Sequence, residues 1–223
     1  MRSFKFNEQT FEIAQDLDEV HFSEIYEKSW KKLIQPSDII YDIGAFRGIM
    51  SLCFASLGKF VYAFEGSLRN YEQSDLNIGE EDNIYLLFMA LSNEEKRVKS
   101  RFNDCNGDGN KEQLVFYYTL DGIIDKYNLE LPDFVKMDIE GMESLVLLKA
   151  EKVFKNRPIW QLEYHPTSPA IGDFPGFVPK ERGGFDFSEF IRNGYQCFDT
   201  NLNRKPTITA GIQFLIPEEK LPV

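Results

Sequence analysis

Asp138 and Glu140 stand two residues apart, and Glu163 and His165 repeat that spacing further along the chain. Each pair ends a short apolar run, Phe134 to Asp138 and Ile159 to Glu163, of the kind that forms a buried strand. On an extended chain residues two apart leave the same face. The two pairs therefore bring three carboxylates and an imidazole to neighbouring strand ends. Such a set moves protons. His165 has the ordinary pKa best suited to a general base, and Asp138 is the other candidate for base or orienter. Glu140 and Glu163 are expected to contact the acceptor or a metal. Lys136, two before Asp138, shares its face. An oxygen-rich set also suits a magnesium-like divalent ion, but no metal ligand geometry can be read from spacing, and no metal site is predicted.

A second constellation, Asp42-x-Gly44-x-x-x-Gly48, follows the apolar run Ile39 to Asp42. In an open parallel sheet, ligands lie beyond the carboxyl ends of the strands, where strand order reverses. Gly44 permits unusual backbone angles and close approach, so a ligand can come near. Gly48 falls at the start of the next helix, where unpaired N–H groups face outward. Glu65 ends the following strand, about 20 residues on, the separation at which an acid binds ribose hydroxyls. The pattern is not G-x-G-x-x-G. An acid at its start suits a cation such as a sulfonium better than a pyrophosphate, which favours S-adenosylmethionine over NAD. A nicotinamide-cofactor oxidoreductase and a non-catalytic binding module remain as alternative readings of these residues.

The elements needed to position these groups alternate along the chain. Strands are predicted at Ile39 to Asp42, Phe60 to Phe64, Ile84 to Met89, Phe134 to Asp138 and Ile159 to Glu163, with helices between them. This predicts an α/β fold with a doubly wound, mostly parallel sheet. Arg97 to Phe102 and Leu114 to Tyr118 read as a small hairpin around a polar loop at Asn106 to Asn110. Thr119 reads as a helix N-cap. Tyr195 to Asp199 and Ile212 to Ile216 read as an antiparallel hairpin at the sheet edge. Apolar residues at helical spacing between Phe11 and Ile34, among them Phe22, Ile25, Trp30 and Leu33, predict a helical N-terminal extension over 1–35. The Pro- and Gly-rich stretch 166–184 reads as an acceptor or lid loop. The whole, 1–223, reads as one domain.

The 223 residues are 43% hydrophobic and carry a formal net charge of −11. That composition fits a globular chain and disfavours non-specific attraction to nucleic acid or anionic lipid. No apolar run is long enough to span a bilayer, and the N-terminal residues lack a signal peptide's apolar segment. The expectation is a cytoplasmic protein with a small-molecule hydroxyl acceptor and no nucleic-acid or membrane partner. Lys136, Asp138 and Glu163 resemble the charged set of RNA 2′-hydroxyl methyltransferases, but the acidic net charge speaks against that reading.

Five segments resemble the FkbM-type methyltransferase family: Asp38 to Gly48, Val61 to Glu65, Ala90-Leu91-Ser92, Thr119-Leu120-Asp121 and, most specifically, Val135-Lys136-Met137-Asp138-Ile139-Glu140-Gly141-Met142-Glu143. The resemblance runs from about Leu33 to Glu163 in the family's order. It implies a seven-stranded, Rossmann-like class I fold and S-adenosylmethionine-dependent methylation of a hydroxyl on a sugar or other metabolite. By the same resemblance Asp42, Gly44 and Gly48 line the methionine end of the cofactor, Glu65 takes the ribose, and Ala90 and Leu91 flank the adenine. Ala45 and Gly66 are also expected among the cofactor-binding residues.

Overall fold

The computed structural model describes residues 2–14, 26–100, 113–169 and 176–221. The chain opens with an antiparallel hairpin, β1 (Arg2–Phe6) and β2 (Gln9–Ile13), followed by helix α1 (Glu27–Leu33). Strand and helix then alternate through β3 (Ile39–Ile43), α2 (Ile49–Ala55), β4 (Phe60–Glu65), α3 (Leu68–Ile78) and β5 (Ile84–Phe88). A small second sheet holds β6 (Ala90–Leu91), β7 (Lys96–Ser100) and β8 (Gln113–Tyr118). Helix α4 (Leu120–Tyr127) leads to β9 (Phe134–Met137), α5 (Glu143–Leu147), α6 (Glu151–Asn156) and β10 (Ile159–Tyr164). Helix α7 (Ser188–Arg192), β11 (Tyr195–Phe198), β12 (Arg204–Lys205) and β13 (Gly211–Pro217) complete the described strands and α-helices.

The main sheet has the order β12-β11-β13-β10-β9-β3-β4-β5. Strands β5, β4, β3, β9 and β10 run parallel, while β13 is antiparallel to both of its neighbours. Strand order reverses at β3, which lies between β4 and β9, so the ligand crevice of an open sheet falls at the tips of these strands.

Why both faces are covered is legible in β3, which is buried at all five positions. Ile39, Tyr41 and Ile43 enter one core layer with Leu120 and Ile123 of α4, Val146 of α5 and Phe190 of α7. Ile40 enters the other, with Trp30 of α1 and Leu52 and Phe54 of α2. Period two thus splits one strand between two layers. The predicted cap is present: Thr119 Oγ1 accepts from Gly122 N at 3.1 Å.

Two expectations are corrected. The sheet has eight strands because the two-residue β12 adds to the expected seven. The expected antiparallel pair is present as β11 and β13 at this end of the sheet, with only β12 beyond it. The N-terminal extension is not helical at its start. Asn7 and Glu8 take φ of 47° and 65° and form a two-residue turn between strands. Phe6 and Phe11 from this hairpin pack with Trp30 in the second core layer, so strand alternation overrides the helical spacing. Residues 15–25, with Phe22 and Ile25, and the loop Asn106 to Asn110 lie outside the described residues. The small hairpin is present as β7 and β8.

Candidate active site

The turn after β3 is built by three left-handed residues, Gly44 (φ 85°), Phe46 (φ 53°) and Gly48 (φ 78°). Gly44 N and Ala45 N both donate to Phe64 O at 3.0 Å, and Gly48 N donates to Ala45 O at 2.9 Å. These amides are engaged by the protein, and Gly48 stands at the N-cap of α2, the helix start where the sequence placed it. The glycines also serve packing. A Cβ at Gly44 would lie 1.9 Å from Asp138 O, and one at Gly48 would lie 2.6 Å from Ser74 Oγ of α3. The first lets the turns after β3 and β9 touch, and the second seats α3 against the helix start.

Asp42 is fully buried beneath this turn. Ser51 Oγ of α2 donates to its Oδ2 at 2.6 Å, and Lys136 Nζ lies 3.4 Å from its Oδ1. Its charge is therefore balanced from within and does not face outward as the spacing suggested. Glu65, at the tip of β4, accepts Phe46 N at 2.8 Å on one oxygen and Ser67 N at 2.7 Å on the other. Burial pushes this carboxyl up to about 7, against the pull of the two amides and Lys136. Each oxygen keeps a lone pair beyond the amide it accepts, so the group retains capacity for hydroxyl donors. Gln113 of β8 clasps the next turn, donating to Gly66 O at 2.8 Å and accepting Leu68 N at 3.0 Å. Ala90 is half-buried, whereas Leu91 is buried in the main core.

The second cluster forms at the tips of β9 and β10. His165 Nε2 lies 3.4 Å from Glu163, 3.8 Å from Glu140 and 3.9 Å from Asp138. All four predicted residues are thus brought together, with Glu140 at the rim, its side chain 77% exposed. Burial works against a charge on His165, but hydrogen bonds to Glu143 and Glu163 and the field of Asp138 outweigh it and raise the ring to about 11. The imidazole is a proton donor at neutral pH in this setting. Asp138 is pushed up to about 7, by burial first and by Glu163 and Glu140, with Lys136 and His165 opposing. Glu163 is held below the usual range, because the hydrogen bond and charge of His165 outweigh its burial.

Two residues the spacing underrated join the clusters. Lys136, read as sharing the face of Asp138, is almost wholly buried. Its ammonium donates to Gly44 O at 2.6 Å and lies 3.9 Å from Asp138 Oδ2. Its signal was a charged residue inside a four-residue strand otherwise apolar and buried throughout. Glu143, in the first turn of α5, takes His165 Nδ1 at 2.9 Å and the amides of Ile139 and Gly141 at 3.2 and 3.1 Å, all on Oε1. Asp138, Glu143 and His165 place ligand atoms within 4.8 Å of one another. That proximity alone would suit a cation; Oε1 of Glu143 already takes three donors, while its Oε2 is buried without a hydrogen-bond partner.

The stretch after β10 folds over this cluster. Phe177 N donates to Ser168 O at 3.0 Å, and a Cβ on Gly141 would lie 2.6 Å from Ser168 Cβ. Residues 170–175 of the expected lid lie outside the described ones. No helix among the described residues is long and apolar enough to cross a membrane.

Comparison with known proteins bears on the fold and the family. A solved FkbM methyltransferase from Methylobacillus flagellatus KT superposes with a TM-score of 0.53 at 17% identity, over 82% of this chain and 44% of that one. This chain therefore spans less than half of that protein's length. A rRNA methylase from Streptococcus thermophilus (TM-score 0.48, 12% identity, 91% and 96% covered) and M. jannaschii TYW2 in complex with AdoMet (0.48, 15%, 96% and 82%) are also similar. No curated protein matches in sequence. The family model of the methyltransferase FkbM domain matches residues 42–192, from the buried acid of β3 through the whole of the second cluster. With the Rossmann-like sheet and its switch point in place, the chain belongs to the FkbM methyltransferase domain family.

Proposed function

We propose that the chain is an S-adenosylmethionine-dependent O-methyltransferase acting, as one domain, on a hydroxyl of a sugar or other small metabolite. One observation carries this reading above the others. The buried ammonium of Lys136 reaches Gly44 O in the turn after β3 and stands beside Asp138 at the tip of β9. A cofactor turn and a proton-handling cluster are thereby built against each other.

The donor set fits the cofactor. Glu65 would offer carboxylate lone pairs to ribose hydroxyls, the Gly44–Gly48 turn would present backbone to the ligand, and half-buried Ala90 would flank a flat base. Bound there, S-adenosylmethionine supplies an electrophilic methyl group. Asp138 takes the acceptor's hydroxyl proton, because a carboxyl raised to about 7 matches a general base at neutral pH. His165, holding its own proton, orients the acceptor with Glu163 and offsets the charge of the surrounding carboxylates. Glu140 meets the acceptor at the rim. The segment 166–184 walls the acceptor side, and positioning contributes much of the acceleration.

The test is a thermal-shift titration with S-adenosylhomocysteine, followed by transfer of a labelled methyl group to a panel of hydroxyl metabolites and, separately, to RNA. Stabilisation by S-adenosylhomocysteine with transfer to a metabolite supports the reading. Transfer to RNA alone would overturn the acceptor class, and stabilisation by NAD(P)H instead would overturn the cofactor.

A further inference from the structure

We infer that Glu143 is the positioning residue of the acceptor site, acting through His165. The inference rests on the reading of His165 as part of the methyl-acceptor cluster. Glu143 is fully buried. Its Oε1 is the meeting point of three donors. Two are the amides of Ile139 and Gly141, the backbone of the turn that follows Asp138. The third is Nδ1 of His165, one residue beyond β10. A single carboxylate at the start of α5 thus ties the tip of β9 to the tip of β10.

The consequence for the ring follows from imidazole chemistry. An acceptor at Nδ1 requires a proton on Nδ1, the less common tautomer for a free neutral histidine. With Nδ1 committed, Nε2 is the atom that faces Glu163, Glu140 and Asp138. A bare lone pair among three carboxylates is unfavourable, so Nε2 also carries a proton and donates toward them. Glu143 sets the rotation of the ring, and it sets which groups Nε2–H can reach. The groups facing the ring are Glu163 on its own strand, Asp138 and Glu140 from the turn after β9, and Glu143 from α5. Lys136 stands behind Asp138, and the Tyr164 hydroxyl is close enough to Glu143 and Glu181 to feel their charge.

Gly141 shows how tightly this corner is assembled. Its φ is 106°, and a side chain there would strike Ser168 and the Phe177 amide, at 2.6 and 3.0 Å. The amide that holds Glu143 therefore belongs to a turn that no larger residue replaces without strain. A carboxylate fixed by backbone on one side and by a histidine on the other is the arrangement that orients catalytic imidazoles elsewhere.

The chain has two histidines, so ring-15N labelling of the full protein gives two pairs of signals, assigned with a His21→Gln variant. In the unsubstituted protein, His165 is expected to show both ring nitrogens protonated from pH 6 to 9. An ordinary titration near neutrality, or a neutral ring protonated on Nε2 alone, would overturn the inference without any substitution being made. Glu143→Gln keeps an acceptor oxygen but removes the charge. It should lower the His165 midpoint by roughly one unit or more, a tenfold change in proton affinity. It should also reduce kcat by about tenfold or more while S-adenosylhomocysteine affinity stays within about twofold. Glu143→Asp should recover part of both effects. An unchanged His165 titration in Glu143→Gln sinks the inference alone if S-adenosylhomocysteine still binds. Failure of the unsubstituted protein to bind it would overturn the functional reading, and this role with it.

Discussion

Asp138 is held at three atoms with three different purposes. Its amide donates to Ile43 O at 3.0 Å, its carbonyl faces Gly44, and its carboxyl meets Lys136 and His165. Asp138→Asn keeps the shape and removes the proposed base, so it should lower kcat by about 10²–10⁴-fold with little change in calorimetric affinity for S-adenosylhomocysteine. A matching loss of affinity would move the residue to the cofactor side. Glu65 behaves oppositely. In Glu65→Gln one of the Phe46 and Ser67 amides faces an NH₂ group and loses its acceptor, a cost of about 1–3 kcal/mol in a urea melt. The same substitution should weaken cofactor binding by about tenfold. Unchanged affinity would leave Glu65 as a brace for the turn and nothing more. At this scale the sequence was partly legible. Spacing located Asp138, Glu140, Glu163 and His165, because alternation in two buried strands is a local rule. It was silent on protonation, which depends on how many carboxylates gather around one ring.

At the scale of elements, the turns after β3 and β9 are a matched pair. The close approach of Gly44 to the Asp138 carbonyl sets their spacing, and the ammonium of Lys136 bonds across it. Gly44→Ala should cost well over 2 kcal/mol, since it combines a left-handed φ with a backbone clash. Gly183 is the control. Its φ is 90° in the left-handed region, but a Cβ at this position would meet nothing within 4 Å, so Gly183→Ala should cost only about 1–2 kcal/mol. Equal losses in denaturant titrations would mean that the contact with Asp138 is not what selects glycine. The glycine turn was visible in the chain, but its reason was not. Sequence spacing suggested room for a ligand, and the fold adds a packing reason: the backbone of the turn after β9 lies where a Gly44 side chain would be. The N-terminal hairpin was missed for a similar reason. Asn7 and Glu8 are not a strong turn pair, and Phe6 and Phe11 become inward-facing only with Trp30 to pack on.

For the molecule as a whole, the site has a consequence for stability against pH. Native His165 keeps its proton to about 11, whereas an unfolded chain releases it near 6.5. The native state binds more protons between those values, so this contribution is complete below about 6.5 and falls as pH rises. Asp138 and Glu65, raised to about 7, act in the same direction between about 4 and 7. The melting temperature should therefore be higher at pH 6 than at pH 9. His165→Gln should remove part of that difference, roughly 2–4 °C for a chain of this size. A variant with the same pH slope as the parent would show that the ring is not held charged by the fold.

The sequence by itself determined the alternation of strand and helix, the two-sided burial of the sheet and the residues that end its central strands. These follow from apolar periodicity and from glycine, which are properties of neighbouring residues. Only the tertiary structure decided that Asp42 is neutralised from within, that Lys136 joins the two clusters, and that Glu143 holds His165. Each of those depends on side chains from different strands and helices meeting in a dry interior. There the energy of a charge is set by whatever the fold places within a few ångströms of it.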